Sequence, residues 1–244
     1  MLRKIFPLVI GVFTIGLLFN SCKKETQDPF EGIKLQAYYP LEIGHSITYD
    51  VDSTFYDDFN CIKYTRRTQL LYTIEDTFTN NEGNLSYITV VRTRADETKF
   101  WEPSDVFYVT RTSSGVTTVQ QNLTIMKLAN PMDEGFVWDG NSRVPAGDQD
   151  YDYYQGWDYT YTKADQPFTG EKVNFDRTIT VEERDHSINN PDLDPALYAE
   201  RTTSSAVYAY GIGMVHNEFT HWVYDPVIGC RAGIGIEMHA IEYK

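Results

Sequence analysis

Three groups of residues in this chain have types and spacings that can do chemistry. Asp148, Asp150 and Asp152 place hard oxygen ligands at alternate positions, a pattern that can converge on Ca²⁺. An EF-hand loop needs Gly at its sixth position and Glu at its twelfth, where this sequence has Tyr153 and Tyr159; a solvated acidic loop is the competing reading. His216, Glu218 and His221 have the residue types of a zinc site but not its spacing, since a helical zinc pair lies four positions apart and these histidines lie five apart. On a strand, His216 and Glu218 share one face and His221 points to the other, so His239 can join His216 only from a paired strand. No zinc site is assigned on that pattern. The third group is aromatic. Tyr151, Tyr153, Tyr154, Trp157, Tyr159 and Tyr161 crowd one short stretch of a chain with 18 tyrosines and 4 tryptophans. Ring faces beside Asp and Asn suit sugar or peptide recognition, which makes Tyr153, Trp157, Tyr159 and Tyr161 candidate ligand-binding residues. The plain alternative is that they fill half-buried strand faces.

Other catalytic patterns are missing from the sequence. It holds no Gly-x-Ser-x-Gly elbow, no Gly-x-Gly-x-x-Gly and no Walker loop. A carboxylate pair in a cleft is the remaining route to hydrolysis, and sequence alone does not set the separation such a pair needs. No cofactor is implied. A formal net charge of −14 makes nucleic acid an unlikely fit as partner, since the surface repels phosphate backbones. Cations, neutral ligands such as glycans, and other proteins are the partners it leaves.

The elements that must position these residues read as strands. Ile47, Tyr49 and Val51 alternate with Thr48, Asp50 and Asp52, after a turn at Gly44. Residues 64–94 read as a hairpin around the Asn/Gly turn at 80–84. A second hairpin joins 106–111 to 116–128 through Ser113-Ser114-Gly115. Trp157, Tyr159 and Tyr161 lie at period two, residues 173–184 alternate, and 206–244 reads as a closing hairpin around residues 225–229. Asp194 before Pro195 gives the one helix signal, and 139–150 reads as a long surface loop. Together these specify an all-β chain: a single antiparallel domain, strongly curved or partly closed as a barrel, with a β-sandwich as alternative and at most one short helix.

The amino terminus addresses the chain to an export route. Arg3 and Lys4 precede an apolar run over 5–19, too short for a membrane span, and Asn20-Ser21 lead into Cys22. The sequence Phe19-Asn20-Ser21-Cys22 resembles a bacterial lipoprotein lipobox, which implies cleavage before Cys22 and acylation of its thiol. Loss of Arg3 and Lys4 takes the net charge to about −16. The expected organisation is a signal peptide at 1–21, a lipidated flexible tether at 22–36 and one β domain at 37–244. In an oxidising compartment the two remaining cysteines, Cys61 and Cys230, are a possible disulfide pair.

Two further stretches, Tyr38-Tyr39-Pro40-Leu41 with Gly44, and Tyr210-Gly211-Ile212-Gly213-Met214-Val215 followed by Glu218-Phe219 and His221-Trp222, resemble a group of lipoproteins of Bacteroidota. The resemblance implies a β fold and an outer-membrane lipid anchor, and no chemistry. Lys23-Lys24-Glu25 matches in part a tract for export to the cell surface, which leaves the periplasmic or outer side of that membrane open. The expected function is a lipid-anchored envelope protein whose β domain binds a ligand or partner without catalysis. The alternatives are a secreted carboxylate-dependent hydrolase and a lipid carrier with an apolar cavity.

Overall fold

A computed structural model describes residues 34–244 other than Ala146 and Asp148. After a five-residue helix, α1 (Lys34–Tyr38), the chain runs through β1 (Ser46–Asp57), β2 (Ile62–Thr79), β3 (Leu85–Arg94), β4 (Glu102–Arg111), β5 (Gly115–Gln120) and β6 (Leu123–Ala129). It continues with β7 (Val137–Asp139), a 3₁₀ turn (Gln149–Tyr154), β8 (Asp158–Thr169), β9 (Asn174–Ile188), β10 (Ala199–Ala209), β11 (Gly213–Asp225) and β12 (Cys230–Tyr243).

All twelve strands belong to one antiparallel sheet, in the order β6-β5-β4-β3-β2-β1-β12-β11-β10-β9-β8-β7. The first and last strands therefore lie in the middle of the sheet, where β1 pairs with β12 over Ile47–Tyr243 to Tyr56–Gly233. A single sheet bent into a nearly closed barrel is the curved-sheet form of the expected fold, and no second sheet exists among the described residues to make a sandwich. The edges β6 and β7 meet at a seam without a ladder. Met126 N donates to Gly140 O at 2.8 Å, and Trp138 Nε1 donates to Met126 O at 3.0 Å. The Tyr161 hydroxyl accepts from Ala129 N and donates to Ala129 O, each at 2.7 Å. Backbone groups of an edge that would otherwise template another strand are thus satisfied by Trp138, Tyr161 and the Gly140 carbonyl.

Alternation along each strand sends one parity into the lumen: Tyr49, Val51, Leu70, Tyr72, Val109, Tyr159, Tyr161, Ile179, Val181 and Tyr208 form or border the interior core. Helix α1 covers the barrel end at which β1 starts. Leu35 and Tyr38 are fully buried there, and Ala37 O accepts from Gly211 N. Of the tether expected over 22–36, residues 34–36 belong to α1, where Leu35 is an apolar residue with a core to enter, and the rest lies outside the described residues.

Three local expectations need correction. No helix forms after Asp194; its carboxylate accepts from Ala196 N at 3.3 Å in a turn, and β10 starts at Ala199 before a second helical turn is possible. The run 116–128 is two strands, split by Gln121 and Asn122, both at positive φ (50° and 66°), the geometry of a two-residue hairpin turn. The run through Gly211 and Gly213 is also two strands. Their φ values of 77° and 109° turn the chain between β10 and β11, and an extra residue at Val215 bulges β11 against Val207 and Tyr208.

Candidate functional site

The lumen is not filled to the top. Past the midpoint of β1, away from α1, a cleft of about 560 Å³ opens between β1, β2, β5, β6, β10, β11, β12 and the segment 153–157. Its walls carry Leu70, Tyr72, Ile125, Phe219, Ile234 and Ile236, interleaved with Ser53, Thr68, Thr118, Gln120 and Asn217. The same inward parity delivers both sets, since a strand presents every second residue whatever its polarity.

Two charges stand in this lumen. Glu183 on β9 is 2% exposed, accepts from Lys127 Nζ of β6 at 3.1 Å, and accepts from Ser204 Oγ of β10 at 2.5 Å. Lys127 also lies 6.0 Å from the centre of the Tyr159 ring. A buried carboxylate survives only where a cation and hydrogen bonds replace water, and these partners come from strands on opposite sides of the seam. Burial, reinforced by the field of Glu183, pushes the Tyr159 hydroxyl well above its ordinary pKa. The tyrosines here are therefore neutral hydrogen-bonding groups.

The segment 149–157 is fastened over one wall of the cleft. Tyr153 stacks on His221 of β11 with ring centres 4.5 Å apart and planes 15° apart, and Tyr153 O accepts from Trp157 Nε1 at 2.6 Å. Tyr154 O accepts from Asn141 Nδ2 at 3.0 Å, and Asn141 Oδ1 accepts from the buried Tyr159 hydroxyl at 2.9 Å. Of the four aromatics expected to contact ligand, Tyr153 is half-buried on the wall, Trp157 and Tyr159 form buried floor, and Tyr161 lies at the seam outside the cleft. Tyr161 is thus a closure residue, because its hydroxyl is spent on the β6 backbone. The calcium set Asp148, Asp150 and Asp152 lies partly outside the described residues; Asp152 is exposed. Lys127 and Glu183 were missed by the sequence reading. The available signal was a charged residue at the inward parity of an apolar strand: Leu123, Ile125, Lys127 in one and Ile179, Val181, Glu183 in the other.

On the opposite face of the sheet, strand parity separates the histidines. His221 points to the lumen, while His216 and Glu218 face outward beside His239 and Glu237 of β12. The outer half of the β8–β9 hairpin folds over this face: Phe168 packs on His216 at 5.3 Å, and Lys172 Nζ bonds Asp50 Oδ2 at 2.6 Å. Near the barrel end that holds the cleft, Cys61 of the β1–β2 turn and Cys230 at the start of β12 are joined in a disulfide, with Cα atoms 5.3 Å apart.

The chain matches no protein-family model and none of the curated proteins. Among solved structures it is similar to a Bacteroides fragilis protein classed as exported, with a YmcC-like fold: 12% identity over 84% of this chain and 98% of the other, TM-score 0.34. It is also similar to a Parabacteroides distasonis protein classed as a lipoprotein, at 9% identity over 85% and 98% of the two chains, TM-score 0.31.

Proposed function

We propose that this is a lipid-anchored protein of the bacterial outer membrane, held there by acylated Cys22, whose barrel binds a small ligand in the lumen without catalysis. Cys22 lies outside the described residues, and the anchor rests on the order of charge, apolar run and cysteine at the amino terminus. The ligand reading rests on one observation: a cleft of about 560 Å³ whose wall mixes ring faces with neutral hydrogen-bonding side chains. Tyr72, Tyr153 and Phe219 offer planar apolar surface, and Gln120, Asn217 and Thr118 add neutral polar groups that each give one donor to the protein, to Asp105, Ser205 O and Ile125 O, and keep an acceptor oxygen. That combination fits a glycan, which has apolar C–H faces and a hydroxyl rim.

The same lining disfavours the two alternatives. Among the described residues that line the cleft, Glu183 is the single carboxylate, and Lys127 and Ser204 already occupy it, so a hydrolytic pair is not at hand. A lipid carrier needs a dry wall, and here Lys127, Glu183, Gln120 and Asn217 break the apolar surface.

Calorimetric titration of the purified protein with a panel of neutral oligosaccharides tests the reading. Saturable binding of at least one, weakened about tenfold or more by Tyr153→Ala, is the expected result. Binding of long-chain fatty acids with no response to any glycan would move the protein to the carrier class.

A further inference from the structure

We propose that His216, His239 and Glu237 form a binding site for a divalent transition-metal ion of the Zn²⁺ type on the outer face of the barrel. The register of two paired strands builds it. His216 of β11 stands directly opposite His239 of β12, and Glu237 lies two residues from His239 on the same face. One ligand atom from each of the three lies within 4.8 Å of the others, and the imidazole centres are 4.8 Å apart. Ligands of a tetrahedral zinc sit about 3.3–3.5 Å from one another, so side-chain rotation of about an ångström closes the set around an ion.

Two features of the protein point to an ion at this place. Nδ1 of His216 and Nδ1 of His239 are both buried and both lack a hydrogen-bond partner. Buried imidazole nitrogens in folded proteins are ordinarily bonded, and a pair of unbonded ones on facing strands leaves two lone pairs free for a cation. The second feature is how the neighbouring carboxylates are used. Asp50 is held by Lys172 and Gln69, and Asp52 by Arg67, whereas Glu237 accepts from Nε2 of His239 at 2.9 Å. A carboxylate whose bonded partner is itself a ligand imidazole can turn to the metal without stranding a cation. Phe168 covers His216 from the β8–β9 hairpin, which limits water on that side and leaves the exposed Glu237 side open for a solvent ligand. Two imidazoles and one carboxylate favour Zn²⁺, Co²⁺ or Ni²⁺ over the harder Ca²⁺ and Mg²⁺.

The test uses untagged full-length protein in detergent, stripped with a chelator and titrated with Co²⁺. One equivalent giving visible d–d bands that Zn²⁺ then bleaches is the expected result. His216→Ala and His239→Ala should each weaken Zn²⁺ binding tenfold or more, Glu237→Gln should weaken it less, and His186→Ala should leave it unchanged. Far-ultraviolet circular dichroism of each variant checks that the sheet remains. No Co²⁺ bands up to 100 µM protein and metal, on the order of the weakest affinity of interest, would overturn the proposal. So would bands that persist undiminished in a folded His216→Ala, His239→Ala double variant.

Discussion

Lys127 and Glu183 hold opposite charges inside the barrel, and each is tolerable only because of the other. Removing the cation alone leaves a carboxylate that is 2% exposed with Ser204 as its remaining partner. Lys127→Met should therefore destabilise the fold by about 3–5 kcal/mol, and Lys127→Met combined with Glu183→Gln should regain most of that loss. Chemical denaturation of the two variants measures both. Equal destabilisation by the single and the double change would mean that the pair does not carry its charge in the folded state. His221 offers a second residue-scale test. Burial holds its pKa below the ordinary 6.5 despite the opposing field of Glu200, and its Nδ1 meets Thr202 Oγ1 at 2.9 Å. As pH falls through 6.5 the unfolded chain takes up this proton before the folded one, so the stability present above 6.5 is lost progressively as pH approaches the folded-state value. His221→Gln should flatten that slope of melting temperature against pH. An unchanged slope would show that His221 titrates alike in both states.

At the scale of elements, the closing disulfide has the clearest energetic consequence. Cys61 and Cys230 are 169 positions apart in sequence, yet β1 and β12 are neighbours, so the bond ties the β1–β2 turn to the base of the β11–β12 hairpin. Closing so long a loop restricts the unfolded chain, and Cys61→Ala with Cys230→Ala should lower stability by about 3–5 kcal/mol. Matching denaturation midpoints for oxidised and reduced protein would contradict this. The same pairing shows what was legible beforehand. Alternation at Ile47, Tyr49 and Val51 and the turn chemistry at 80–84 and 225–229 were enough to find strands and hairpins, because each is a property of a short window. Breaks made by positive φ were not. Gln121 carries no turn signature, and Gly211 and Gly213 fit equally well in a bulged strand or a turn. Gly233, opposite Trp222 at φ 154°, sits where a Cβ would strike the backbone of His221 and Trp222. The candidate site was half legible for a related reason. Tyr153 could be nominated by composition, but Lys127 meeting Glu183, and His216 meeting His239, depend on strand order and register, which pair residues far apart in the chain.

For the whole molecule, the strand order decides where things attach. Because the sheet starts and ends at its middle, the edges β6 and β7 come from the centre of the sequence, and Tyr161 and Trp138 seal them. The amino-terminal end of the described chain, by contrast, enters beside β1 through α1, at the barrel end away from the cleft. Eleven residues separate Cys22 from Lys34, a reach of at most about 40 Å when extended. The net charge of −14 makes the protein itself a poor ligand for an anionic bilayer, so on the proposed reading the attachment rests on acylation of Cys22. Cys22→Ala should therefore abolish incorporation of labelled fatty acid and move the protein out of the membrane fraction, or leave it as precursor with residues 1–21 attached. Among the described residues the core begins at Leu35, so the melting temperature of the released protein should match that of the parent. Unchanged labelling and unchanged membrane fractionation of the variant would end the lipoprotein reading, while leaving the cleft and the histidine pair to be judged by their own titrations.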